Sequence, residues 1–139
     1  MPEFKTIWKS AILALLAASA AFPAQAQDTR IRPQVPVVVG GDPDMDACGS
    51  VGAVEGLEPG GDGFLAVKAA PSLKAPRIDK LLNGKHVHIC QENGDWYGII
   101  YSTRRQDCNV STPWPRARPY TGPCRSGWAH KRWINAYAG

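Results

Sequence analysis

The strongest pattern along the chain is a period-two alternation. Lys85-His86-Val87-His88-Ile89-Cys90-Gln91 switches between polar and apolar at every step, which predicts a half-buried strand. Asn83-Gly84 opens it as a turn, and Asn93-Gly94 follows as a second turn signal. The next segment, Trp96-Tyr97-Gly98-Ile99-Ile100-Tyr101, is aromatic and β-branched, so the two predict a β-hairpin. Shorter strands are expected where Val51, Ala53 and Val54 lie between glycines, around Phe64-Leu65 and Val67, and over Gly127-Trp128-Ala129-His130. Residues 58–63 form a turn cluster. Residues 71–83, broken by Pro71 and Pro76, read as a loop, and Lys131 to Ile134 as a single helical turn before a tail. Thr103 to Pro123 contains four prolines and resists regular structure. No segment carries a 3.6-residue apolar period. The fold class is all-β, a small barrel or sandwich.

The ends add organisation. Lys5 and Lys9 precede an apolar run from Ala11 to Phe22, followed by Pro23-Ala24-Gln25-Ala26. This is the three-part layout of a secretory signal, with cleavage expected after Ala26. The run is about a dozen residues, short of the roughly 20 that span a bilayer, so residues 1–26 are expected to be removed without leaving a membrane anchor. Residues 27–47, with Pro33, Pro36, Pro43 and Gly40-Gly41, read as a flexible or extended leader, in which Val35 to Val39 could pair as an edge strand. The chain carries a net charge of +4. Its cations are interspersed with acids, and only Arg104-Arg105, Arg116 to Arg118 and Arg125 to Arg132 are locally basic, a pattern that argues against a nucleic-acid binder.

In an exported chain, Cys48, Cys90, Cys108 and Cys124 read as two disulfides, for which three connectivities exist. A structural zinc site would need closer ligand pairs. The expected location is the periplasm or the exterior.

The order of the pieces resembles the bacterial SH3-like (SH3b) domains. Leu65-Ala66-Val67-Lys68-Ala69-Ala70-Pro71 is similar to that family's opening L-x-V-R-x-x-P, with Lys68 in place of Arg. Asn83-Gly84 and the alternating strand resemble its L-x-x-G-x-x-V step, and Gly94-Asp95-Trp96-Tyr97-Gly98-Ile99 its G-x-W-x-x-V strand. Gly127-Trp128-Ala129-His130 with Trp133-Ile134 resembles its closing segment. The resemblance implies an SH3-like barrel of five to six short strands over residues 48–139, with Trp96 and Trp128 packed in the barrel. The chain departs from it at residues 103–124, a much longer link than the family's. On that reading Cys108 pairs with Cys124 to close the insertion, and Cys48 with Cys90 to tie the first strand to the hairpin. Pairings that cross-link the insertion to the barrel remain open.

No catalytic constellation is recognisable. With the cysteines oxidised no thiolate remains as a nucleophile. His86 and His88 share a strand face and could clip a metal only with a third ligand such as His130; they read as solvent-facing positions opposite Val87 and Ile89. Asp42, Asp44 and Asp46 lack the glycine and distal glutamate of a calcium loop. No metal or other cofactor is expected. The expected function is a non-catalytic binding module for a peptide, a cell-wall component or a partner protein. An accessory or inhibitory protein acting on a wall enzyme is the alternative, and a hydrolase a more distant one. The candidate contact residues are Trp114, Arg116, Arg118 and Tyr120 in the insertion, with Tyr97 on the hairpin, because aromatic residues and Arg dominate binding hot spots. Trp114 could equally fold back to cover the barrel's open end.

Overall fold

The computed structural model describes residues 21–22 and 31–139. Apart from Ala21 and Phe22, the expected signal segment and its cleavage point lie outside the described residues. The described chain is all-β, with one 3-10 turn, Lys131–Trp133. Its strands are β1 (Val38–Val39), β2 (Ser50–Val54), β3 (Leu65–Lys68), β4 (Arg77–Leu81), β5 (His86–Asn93), β6 (Trp96–Tyr101), β7 (Arg118–Pro119), β8 (Arg125–His130) and β9 (Ile134–Ala138). Seven of them form one sheet in the order β4-β3-β8-β6-β5-β2-β9, and β1 pairs with β7 separately.

The expected hairpin is the centre of this sheet. Its partners run from His88 with Ile100 to Asn93 with Trp96, so the two-residue loop is Gly94-Asp95, one position beyond the Asn93-Gly94 signal. Gly94 has a φ of 57°, which a two-residue hairpin loop demands and glycine supplies without a Cβ clash. All seven strands contribute to one interior cluster that includes Val54, Val67, Leu81, Val87, Ile99, Ala129 and Ile134, so the sheet wraps around it. Hydrophobic burial of this kind stabilises by roughly 25 cal/mol per Å² of apolar surface.

Two strands of the seven-stranded sheet arise where sequence patterning predicts none. β4 lies inside the expected loop 71–83. Its residues are mostly exposed up to buried Leu81, and its two apolar positions, exposed Ile78 and buried Leu81, do not alternate at period two. β9 occupies the expected tail. Only Ile134 is buried in it, and its regularity comes from antiparallel pairing with β2.

A second buried cluster lies on the other side of the same strands. It joins Trp96, Ile100 and Trp128 to Val37, Val39, Ala47, Cys48, Cys108, Val110 and Tyr120. Residues 35–47 of the expected leader, Cys48 and the insertion 103–124 therefore build a second layer over the outer face of β5, β6 and β8. They also bind each other: Tyr120 N donates to Val37 O at 2.9 Å, Cys48 N to Val110 O at 3.1 Å and Ala47 N to Thr112 O at 2.9 Å. Gly98 shows how close the layers approach, since a Cβ there would stand 2.9 Å from Val37 Cγ1. Trp96 and Trp128 are buried as expected, but against this added layer and not in the interior cluster. The Trp128 indole N–H donates to Gln34 O at 3.1 Å, which satisfies it against residues of the expected leader.

Both disulfides lie in the second layer. Cys48 is joined to Cys90 on β5, and Cys108 to Cys124 across the insertion. The first anchors the added layer to the sheet and the second fixes its own long loop. Two such bridges suit an oxidising environment. No helix of the described residues is long and apolar enough to cross a membrane.

Candidate functional site

The insertion positions its aromatic residues through the bridge that closes it. Tyr120 is only 4% exposed. Its hydroxyl donates to Cys108 O at 2.7 Å and accepts from Cys124 N at 3.1 Å. Burial dominates the environment of its phenol and raises its pKa above the ordinary value, against the opposing Cys124 N–H. Tyr120, one of the candidate contact residues, is thus packed as a support beneath the loop surface. Asn109 adopts a left-handed φ of 59° while its N–H donates to Asp107 Oδ1 at 2.8 Å. That local turn presents Asn109 O to the Trp114 indole N–H at 2.9 Å.

Trp114 stacks on Tyr120, with ring centroids 6.0 Å apart and planes 13° from parallel. The Arg118 guanidinium carbon stands 4.3 Å from the Trp114 ring centroid, a cation–π arrangement of about 0.5–1 kcal/mol at an exposed site. Trp114 is half-buried, packed back on the second layer while keeping one edge outside. Together with Pro115, Arg116 and Arg118 it lines a shallow cavity of about 220 Å³. The structure therefore brings together Trp114, Arg116, Arg118 and, beneath them, Tyr120. Tyr97 does not join them: it is half-buried against the interior cluster with Leu57 and Trp133.

Two exposed guanidinium groups beside an indole edge can accept a carboxylate or phosphate in a forked hydrogen-bonding geometry, with apolar contact alongside. Pro113, Pro115 and Pro119 limit the entropy that such a loop loses on binding.

The histidines are engaged elsewhere. His86 is exposed, with Nδ1 2.6 Å from the Tyr137 hydroxyl. His88 is half-buried; burial lowers its pKa and the charge of Asp107 partly offsets that. His130 caps the 3-10 turn, accepting from Arg132 N at 3.2 Å. Among the described residues no group of three or more His, Cys, Asp or Glu side chains is placed to hold a metal ion.

A polar node with no local sequence signal joins β4, β6 and β8. Asp79 Oδ2 accepts from the Tyr101 hydroxyl at 2.8 Å and from Arg125 Nη1 at 3.0 Å, and Oδ1 accepts from Lys80 N at 2.8 Å. Burial alone would raise the Asp79 pKa, but these donors together hold it below its ordinary value. Burial, reinforced by the Asp79 acceptor, pushes the Tyr101 phenol well above its usual range. Tyr101 stays protonated and Asp79 ionised, so the node locks three strands.

Comparison with known protein families, with curated proteins and with solved structures finds no match for this chain. The functional reading rests on the geometry above.

Proposed function

We propose that this chain is an exported, non-catalytic binding module of SH3-like (SH3b) architecture, which recognises a peptide, a cell-wall component or a partner protein. The placement of the resembling segments supports the architecture. Leu65 to Lys68 form β3, Asn83-Gly84 leads into β5, Trp96 to Ile99 lie on β6, and Gly127 to His130 on β8. Trp133 ends the 3-10 turn and Ile134 begins β9. Four of these strands, β3, β8, β6 and β5, are consecutive neighbours in the sheet.

The observation that carries the binding role is the pinned Trp114-Arg118 pair. A half-buried indole and a guanidinium are held in register above a buried tyrosine, inside a loop closed by a disulfide. Preorganisation of this kind lowers the ordering cost of association. The test is a pull-down of the oxidised protein on purified cell-wall sacculi, repeated with the Arg116→Ala/Arg118→Ala variant. Retention of the parent and loss of the variant supports the reading. Equal retention of both removes the insertion as the contact surface, and retention of neither removes the cell wall as the target.

A further inference from the structure

A further open region of the described surface lies away from the Trp114 loop. Two grooves, of about 530 and about 520 Å³, share Gly84, Lys85 and Thr103 and so form one continuous trough. Lys80, Lys85, Arg104, Arg105 and Arg125 line it. The single carboxylate in its lining is Asp79, whose oxygens already accept from Tyr101, Arg125 and the Lys80 backbone. Among the described residues the ion pairs are Arg125–Asp79 and Lys131–Glu92, so Lys80, Lys85, Arg104 and Arg105 have no carboxylate partner among those residues. The described lining of the trough therefore carries five cations against one carboxylate, a concentration of positive charge.

Its shape is held in place. The Lys85 ammonium donates to the Ser102 carbonyl, which ties the start of β5 to the end of β6. Gln106 N donates to Arg104 O at 2.7 Å, and its side-chain amide donates to Pro123 O at 2.9 Å, which fixes the turn carrying Arg104 and Arg105. One wall of the trough is made by β4 and the turn after it. β4 ends the sheet order, so among the described residues one of its hydrogen-bonding edges is unpaired. Leu82, 65% exposed, follows directly.

We infer that this trough binds an extended acidic peptide, whose backbone lies along β4 and whose carboxylates meet Lys80, Lys85, Arg104 and Arg105. Strand addition to a sheet edge is an established mode of peptide recognition, with affinity from main-chain bonds and selectivity from alternate side chains. The cations on this edge repel a second copy of the same strand, and they attract a strand of opposite charge. An anionic polymer without peptide bonds would satisfy the cations but could not use the strand edge. The site is separate from the Trp114 cavity and does not depend on it.

The test is fluorescence anisotropy of a labelled oligoglutamate peptide with the full, oxidised protein. Oligolysine and polyphosphate serve as comparison probes, and amide NMR shifts map the contact. The expected result is oligoglutamate binding that weakens with salt, shifts residues 79–85 and 103–106, and loses about tenfold in affinity in Arg104→Ala/Arg105→Ala. Both arginines are exposed, so that variant keeps its fold. The amide shifts at residues 79–85 and 103–106, read separately from any at 114–118, distinguish this site from the insertion. Absence of oligoglutamate binding, an unchanged affinity in Arg104→Ala/Arg105→Ala, or oligoglutamate binding without shifts along β4 would overturn the inference.

Discussion

The Tyr120 hydroxyl donates a 2.7 Å hydrogen bond to the Cys108 carbonyl, inside the loop that Cys108 and Cys124 close. The same oxygen accepts from the Cys124 amide, so one phenol joins both ends of the bridge. Above it, the Trp114 ring is parallel to the Tyr120 ring within 13°. The order of the insertion therefore descends from Tyr120 outward to Trp114 and Arg118.

Tyr120→Phe keeps the ring but leaves Cys108 O and Cys124 N without this partner. Removing a buried hydroxyl that serves two backbone groups should cost about 1–3 kcal/mol. Urea unfolding of the oxidised protein measures it. A shift much below that range would mean that water replaces the hydroxyl.

The two bridges should contribute unequally. Their half-cystines are 42 and 16 positions apart. By loop entropy the longer link stabilises by about 4 kcal/mol and the shorter by about 3 kcal/mol. Cys48→Ala/Cys90→Ala should therefore lower the urea midpoint more than Cys108→Ala/Cys124→Ala. It should also speed hydrogen exchange at the amide of position 48, which donates to Val110 O in the parent.

Gly40 tests the packing of the second layer. Its φ is 77°, and a Cβ there would lie 2.6 Å from Trp114 O. Gly40→Ala meets both backbone strain and a clash with main chain that cannot move aside, so a loss of roughly 1–3 kcal/mol is expected. Trp114 fluorescence should change with it, although the substituted residue is far away in sequence. A variant as stable as the parent would show that residues 40–41 do not bear on the insertion.

Stability should decline in acid in two stages. Burial lowers the His88 pKa, so its neutral form is favoured by the fold, and stability falls as pH drops below the ordinary value of about 6.5. Asp79 is held low by its donors, so its contribution is present above about pH 4 and is lost as pH falls through its depressed native pKa. His88→Gln should flatten the first stage and leave the second. Tyr101, with a raised pKa, makes a contribution that is intact below about pH 10 and declines above it. Urea midpoints across pH read all three.

The hairpin was legible because β5 buries one face, so Val87 and Ile89 alternate with His86 and His88. β6 shows why the second layer was not anticipated. Five of its six residues are buried, Trp96 and Ile100 toward one cluster and Ile99 and Tyr101 toward the other. A strand without alternation is the signal of burial on both faces, and Trp96 to Tyr101 carries it. Val37 and Val39 read as an extended segment in the sequence, since Gly98 and Tyr120, which Val37 meets, lie far along the chain and leave no local pattern. The Asp79-Tyr101-Arg125 node is invisible for the same reason: three isolated polar positions meet only because the sheet wraps. In the candidate site, the residue types and the Cys108–Cys124 loop were readable. Which aromatic faces outward depended on the Tyr120 hydroxyl bonds, which no spacing encodes.

The most direct measurement is the Trp114 indole N–H resonance of labelled, oxidised protein titrated with soluble peptidoglycan fragments. That proton is held on Asn109 O beside Arg118, so it reports any ligand that enters the cavity. The account predicts a saturable shift of this resonance, shared by the Arg116 and Arg118 side-chain signals and abolished in Arg118→Ala. An indole signal that stays fixed while other residues shift would contradict it.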